Sequence, residues 1–251
     1  MTPQPDTIQL DHGSGGKIAH QLTTDLLLPM LDNPLLAKLH DGAILDIGQG
    51  RMALSTDTFT VTPLFFSGGD IGDLAVNGTV NDVAMCGAKP LYLSLALIIE
   101  EGFAMADLKR ILTSIAEAAA VAEVKIVTGD TKVVPKGCAD GIFINTTGIG
   151  LIPDGVRIGA DRAVLGDKIV INGAIADHAI TILTQREGLH MQVDVRSDTA
   201  PLNHLVARML DASRDIHVLR DPTRGGCLLY TSDAADESRR GGGWWGGGVG
   251  I

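Results

Sequence analysis

Cysteine is scarce: Cys86, Cys138 and Cys227 are the only three in 251 residues, and none stands in a Cys-x-x-Cys pair. An odd number without paired spacing argues against a disulfide framework or a zinc site and suits a reducing cytoplasm. Positive charge is also short, with 20 Lys and Arg against 30 Asp and Glu and a formal net charge of −10. That balance excludes a nucleic-acid backbone as partner, because phosphate binding needs a basic face. No apolar run approaches bilayer length, and the opening MTPQPDTIQLDHG has neither a basic n-region nor an apolar h-region. Neither a membrane span nor a signal peptide is therefore expected, and the chain reads as soluble and cytoplasmic. The 45% hydrophobic content that remains is enough for one large core or two small ones.

The organising stretch runs from Leu54 to Pro90. Ala53–Thr56 reads as the end of a buried strand, with Asp57 where it stops. After the Gly68-Gly69 turn, Asp70 or Asp73 can cap a helix to Met85 or Cys86, with Gly87 as its stop. Asp73, Asn77 and Asn81 recur every four residues, giving a polar stripe with Asp82 beside it. A strand-end carboxylate facing helix-borne oxygen donors suits a hard cation such as magnesium.

Upstream, Asp11-His12-Gly13-Ser14-Gly15-Gly16-Lys17 offers backbone N–H groups to a phosphate, although its spacing is not the Walker pattern. His12 reads as a surface histidine. His20–Leu39 is helical in pattern, and Ala43–Ile47 and Met52–Ser55 read as two short strands. Downstream, Leu91, Leu93, Leu95 and Leu97 alternate as a strand, and Leu108–Ala120 follows at helical spacing. Val124–Thr128 is a strand ending at Gly129-Asp130, and Ile142–Ile149 is another. Strands and helices with hairpin-like joins favour an α+β layer over a doubly wound sheet. Single carboxylates beside glycine or small residues are usually turn formers. Three of them, at Asp57, Asp82 and Asp130, with Lys132 as a point charge, suggest a metal–phosphate site.

A second unit starts near Pro153, with a strand at Lys168–Asn172, helices at Ala176–Arg186 and Leu202–Leu210, and a strand near Val218–Arg220. Asp177-His178 reads as a capped helix start. Beyond Gly226 the pattern breaks, and seven of the ten residues from Gly241 to Gly250 are glycine. No packed element uses such a run, and it reads as a non-native tail. The expected divisions are 1–40 (arm, helix and glycine-rich loop), 41–152, an incomplete unit 153–226, and the tail 227–251.

Taken together, DHGSGGK, the Ser55–Pro90 run, VTGDTKVV, NTTGIG and DPTRGG resemble the aminoimidazole ribonucleotide synthetase (PurM-like) superfamily. Within it they resemble the hydrogenase maturation factors. The resemblance spans Met1 to about Gly226. It implies two PurM-like α+β domains, the first an α/β sandwich and the second truncated here. It also implies ATP with magnesium as cofactors and a homodimer of N-terminal domains with the ATP sites near the interface. Asp57, Asp82 and Asp130 would be the metal residues, and Gly13, Ser14, Gly15, Gly16, Asn81, Thr131 and Lys132 would join them around the nucleotide. The implied reaction is ATP-dependent dehydration of a carbamoylated C-terminal cysteine to a thiocyanate, bound for the iron of nickel–iron hydrogenases. The implied partners are the carbamoyltransferase HypF and the HypC–HypD scaffold. The chain ends Gly248-Val249-Gly250-Ile251 instead of in the family's Pro-Arg-Ile-Cys motif, so an inactive chain is expected and no catalytic residue is assigned. Alternatives are a selenophosphate synthetase or thiamine-monophosphate kinase type of enzyme, or a non-catalytic nucleotide-binding docking protein.

Overall fold

Alternating apolar residues along the chain build one mixed sheet. A computed structural model describes residues 7–9, 12, 18, 21–31, 33, 50–159, 162–188 and 195–221. Its strands are β1 (Arg51–Phe59), the short pair β2 (Phe65–Phe66) and β3 (Gly69–Asp70), β4 (Lys89–Glu100), β5 (Lys125–Val134) and β6 (Ile142–Ile152). The main sheet runs β1-β6-β4-β5. β6 is antiparallel to both of its neighbours, whereas β4 and β5 are parallel. A parallel pair needs a crossover, supplied here by helix α2 (Met105–Val121). Helix α1 (Ile71–Met85) lies on the same face of the sheet. The α+β architecture expected from the sequence is the one observed.

One face of the sheet is dry. Leu93, Leu95, Leu97 and Ile99 of β4 join Ile142 and Ile144 of β6 and pack against Val76 and Val80 of α1 and Ile111, Leu112 and Ile115 of α2. Burying each such side chain is worth about 1.5–3 kcal/mol, so the first unit's stability is concentrated there. Close approach of α1 depends on two glycines of β6. A Cβ on Gly148 would stand 2.9 Å from Thr79, and one on Gly150 would stand 2.7 Å from Val83 and 2.5 Å from the Lys89 carbonyl oxygen. The opposite face of the sheet carries Met52, Leu54, Ser94, Ile98, Asn145 and Thr147 and has no helix on it among the described residues.

The caps of α1 stand where the sequence puts them. Asp70 accepts from the backbone N–H groups of Gly72 and Asp73, and Asp73 returns a carboxylate oxygen to the Asp70 N–H. Gly87 ends the turn at φ +76°. Ahead of the sheet, a π-helical turn Leu22–Leu27 runs into Leu28–Met30, which covers part of the expected His20–Leu39 helix. The helix stops at Met30, short of the expected Leu39, since Leu31 leaves helical geometry at φ −115° and Asn33 is not helical; residues 34–39 and the Ala43–Ile47 strand lie outside the described residues.

Several expectations need correction. β1 is an edge strand rather than a buried one, with Leu54 67% exposed, and it continues past Asp57 to Phe59. β5 likewise continues through Gly129-Asp130 to Val134, so Asp130 sits in mid-strand. His12 is buried, and its Nδ1 accepts from the Gln9 N–H at 3.0 Å. No strand forms at Lys168–Asn172 or Val218–Arg220. A strand needs a neighbour to take its backbone groups, and none of the described strands lies beside either segment. Ile169 is accordingly 91% exposed.

The second unit contributes helices α3 (Asp177–Glu187) and α4 (Asn203–Ala212). α3 starts without a side-chain cap, since its cap position is Ala176 at φ +74° and Asp177 falls in the first turn. In α4, Leu205 is exposed, but Val206 and Leu210 bury against Ala84 and Val156, with Met85, Ile216 and Leu219 around them. The last turn of α1 is thus the floor on which the second unit rests.

Candidate functional site

Side-chain alternation along β1 turns Ser55 and Asp57 towards α1. Asp82, in the last turn of α1, receives the Ser55 hydroxyl on Oδ2 at 2.9 Å. Asp57 is oriented by its own chain, with Oδ1 accepting from the Thr58 N–H at 2.9 Å. Gly78, one turn before Asp82, clears the space between helix and strand: a Cβ there would lie 3.7 Å from Asp57 Oδ2 and 2.8 Å from the Phe59 ring. The far end of the described chain returns to the same place, where Arg220 and Asp221 act electrostatically on Asp82. The Asp82 carboxyl is pushed above its ordinary value first by burial, then by the charges of Asp57 and Asp221. The Ser55 hydroxyl and the Arg220 guanidinium oppose that rise. Three carboxylates against one guanidinium leave this corner short of positive charge.

Cys86, one turn further on, is exposed, and burial together with Asp82 raises its thiol pKa. It stays protonated and is no partner for a hard cation. All remaining donors in the corner are oxygens, which is the chemistry that magnesium accepts, with a substrate's phosphates completing its shell. Among the described residues no three His, Cys, Asp or Glu side chains close a metal cage by themselves.

Asp130 does not join Asp57 and Asp82 within one chain. Its register partner on β4 is Ala96, which pairs with Asn145 on β6, which pairs in turn with Thr58. Asp130 therefore shares the open face with Thr58, whereas Asp57 is on the helix face. The two also occupy opposite edge strands, three inter-strand steps or roughly 14 Å apart. Lys132 shares the open face with Asp130, while Thr131 is on the helix side and gives its N–H to Asp130 Oδ1 at 2.9 Å. Gly13, Ser14, Gly15 and Gly16 lie outside the described residues.

The polar stripe of α1 faces a segment more than 110 residues downstream. Asn77 Nδ2 donates to Thr199 Oγ1 at 3.0 Å. Asn81 uses both ends of its amide, donating to the Ala200 carbonyl at 3.0 Å and accepting from the Leu202 N–H at 2.7 Å. Asp73 takes a hydrogen bond from Thr199, yet burial and the neighbouring Asp70 raise its carboxyl to about 6. Ser197 gives its backbone N–H to the Ser67 carbonyl at 2.9 Å, and its Oγ meets His178 Nδ1 at 2.9 Å. These contacts make residues 196–203 a strap across α1. Asn81, expected at the nucleotide, is engaged by that strap.

Sequence reasoning singled out neither Ser55, Arg220, Asp221 nor the strap. A signal for Asp221 existed, because it opens the run Asp221-Pro222-Thr223-Arg224-Gly225-Gly226. That run sets a carboxylate near glycines, as Gly129-Asp130 does.

The N-terminal domain family of AIR synthase related proteins matches residues 39–152. The chain is 49% identical over 232 residues to the carbamoyl dehydratase HypE of Bradyrhizobium diazoefficiens, covering 92% of this chain and 67% of that protein. A hydrogenase maturation protein HypE crystallised with ATP superimposes at a TM-score of 0.88 with 53% identity, over 92% of this chain and 69% of that one. HypE from a crystallised HypE–HypF complex superimposes at 0.72 with 47% identity, over 89% and 71% of the two chains. A thiamine-monophosphate kinase of Stenotrophomonas maltophilia, at 22% identity and a TM-score of 0.57, shares the fold alone. The chain spans about two thirds of the length of the curated relatives it matches.

Proposed function

Because this chain belongs to the HypE family of hydrogenase maturation proteins, we propose that it binds Mg-ATP at the corner formed by Asp57, Asp82 and Asp221. The observation that carries this reading is the meeting of β1 and the last turn of α1, which gathers carboxylates distant in sequence without enough positive charge to balance them. Bound there, magnesium would neutralise charge on the ATP phosphates. Asp57 and Asp82 would hold it, and the Ser55 hydroxyl keeps the Asp82 carboxylate turned the right way. The reaction served is dehydration of a carbamoylated cysteine to a thiocyanate. A carboxamide oxygen is a poor leaving group; phosphorylated by ATP with release of ADP, it departs as phosphate while the nitrogen gives up both of its protons, leaving the carbon–nitrogen triple bond.

Asp130 and Lys132 enter the same site from a second copy. The open face exposes Met52, Leu54 and Ile98, with Tyr92, Phe143, Ile149 and Leu151 half-buried beside them. A monomer would leave that apolar surface wet. Two-fold pairing of open faces would bring the β5 edge of one copy to the β1 edge of the other. Asp130 of the partner subunit would then approach the nucleotide. HypF as carbamoyl donor is supported by the HypE–HypF complex of a relative, and the HypC–HypD scaffold is the proposed recipient. A cytoplasmic location accords with Cys86 and Cys138 standing as free thiols, and no helix among the described residues is long and apolar enough to cross a membrane.

The test is a calorimetric titration of Mg-ATP into the Asp57→Asn and Asp82→Asn chains. Each should bind at least tenfold more weakly, on the order of 1.4 kcal/mol. Unchanged affinity in both would sink the site.

A further inference from the structure

We propose that Gly78 is a positioning residue: by carrying no side chain it sets the spacing at which Asp57 on β1 faces Asp82 on α1. The idea rests on the nucleotide site proposed above and concerns what holds that site to size.

A glycine at the midpoint of α1 calls for a reason. Glycine is a poor helix former and alanine the best, so position 78 forgoes stability that one methyl group would supply. Local rules are broken in this way where function is served. The neighbours of Gly78 show what the missing methyl makes room for. The helix-facing residues of β1 meet α1 in order: Ala53 is buried with Val83, and the Ser55 hydroxyl donates to Asp82 at 2.9 Å. At the far end the Phe59 ring lies against Gly78, where an added Cβ would stand 2.8 Å from Cε1 and 2.9 Å from Cζ. Asp57 sits between those last two contacts. Its Oδ1 accepts from the Thr58 N–H, and its Oδ2 would lie 3.7 Å from the same added Cβ.

The Phe59 ring has nowhere to turn. It is 7% exposed and belongs to the core that holds Val76, Val80 and Ile144. Such interiors are close-packed, so an intruding methyl group displaces whole elements. A side chain at 78 would therefore push α1 from β1 at the Phe59 end. The Ser55–Asp82 bond and the Ala53–Val83 contact would hold the other end, so the gap would open as a wedge and carry Asp57 away from Asp82. Magnesium demands near-ideal octahedral geometry at about 2.1 Å, which makes it intolerant of that displacement.

Four variants of the full chain test this: Gly78→Ala, Phe59→Leu, the two combined, and Gly72→Ala. The last overpacks the opposite end of α1, since a Cβ there would stand 2.5 Å from the Ile111 carbonyl oxygen. ATP affinity is measured by calorimetry with magnesium and with EDTA, and the ratio is the gain due to magnesium; urea midpoints report stability. Gly78→Ala should cut the magnesium gain about ten- to a hundredfold, the usual effect of losing a group that orients a metal ligand, and leave the metal-free affinity in place. Shortening the ring makes room for the methyl group, so the double variant should recover the gain of Phe59→Leu. Gly72→Ala should lower the urea midpoint and keep the gain. A merely structural role predicts instead that the gain follows the urea midpoint through the series. A gain that survives Gly78→Ala, falls equally in Gly72→Ala, or stays lost in the double variant overturns the proposal. The double variant decides the matter alone if Gly78→Ala does not fold. An unmodified chain that binds ATP equally with and without magnesium overturns the nucleotide site itself, and this role of Gly78 falls with it.

Discussion

At the scale of single residues, Asp73 stands against ordinary carboxylate behaviour. It completes the cap of α1, but burial and the charge of Asp70 hold its carboxyl at about 6 instead of 3.8, against the pull of the Asp70 N–H and the Thr199 hydroxyl. The folded state thus keeps a proton there that the unfolded chain has released. Its stabilising contribution is complete below pH 3.8 and is lost as pH rises through about 6. His178, on the other side of the strap, works in the opposite sense: burial lowers its pKa, so its contribution is present above 6.5 and lost on acidification. Asp198 faces His178 and raises that pKa in part. Substituting Asp73 isolates its share. Asn retains an oxygen to accept from the Asp70 N–H but has no charge, so Asp73→Asn should raise the urea midpoint at pH 8 and leave it nearly unchanged at pH 4. Midpoints that differ from those of the unmodified chain by the same amount at both pH values would refute this account.

At the scale of elements, α1 is held down by the absence of side chains on β6. A methyl group at Gly150 would meet the Lys89 carbonyl oxygen at 2.5 Å, and backbone cannot swing aside as a side chain can. Gly150→Ala should destabilise by about 1–3 kcal/mol, the usual cost of overpacking, read as a drop in urea midpoint at constant slope. A loss below about 0.5 kcal/mol, the level of neutral surface changes, would show that both Val83 of α1 and the β4 backbone at Lys89 yield to the methyl group.

Much of α1 was legible because its signals are local: Asp70 and Asp73 cap it, apolar residues line it, and Gly87 stops it within a short window. The alternation of Leu93, Leu95 and Leu97 was legible for the same reason. The misreadings share another cause. Whether β1 is an edge strand and whether β5 outlasts Asp130 depend on which strands lie alongside, and β5 takes its neighbour β4 through a crossover. The stripe Asp73, Asn77, Asn81 was visible as a period of four. What it binds, residues 199–202, could not be read from any local window. The apolar run at Ile169–Ile171 reads as a strand, but a strand is a relation between two segments, and the described residues supply only one.

At the scale of the whole molecule, the open sheet face decides how many copies make one site. Leu54, 67% exposed near one corner of that face, is the residue to charge. Light scattering should give twice the chain mass for the unmodified protein and a single mass for Leu54→Glu, with the helix-side core untouched. An unmodified chain that is monomeric at micromolar concentration would contradict the paired face.

The central claim is that one nucleotide site takes Asp57 and Asp82 from one copy and Asp130 from the other. Mixing tests it most directly. Asp82→Asn and Asp130→Asn chains, each deficient in Mg-ATP binding alone, are combined in equal amounts, allowed to exchange subunits and titrated calorimetrically. Random pairing leaves one intact site in each mixed dimer, so binding at the unmodified affinity should return at about one site per four chains. A mixture that binds no better than its separate components would contradict the shared site.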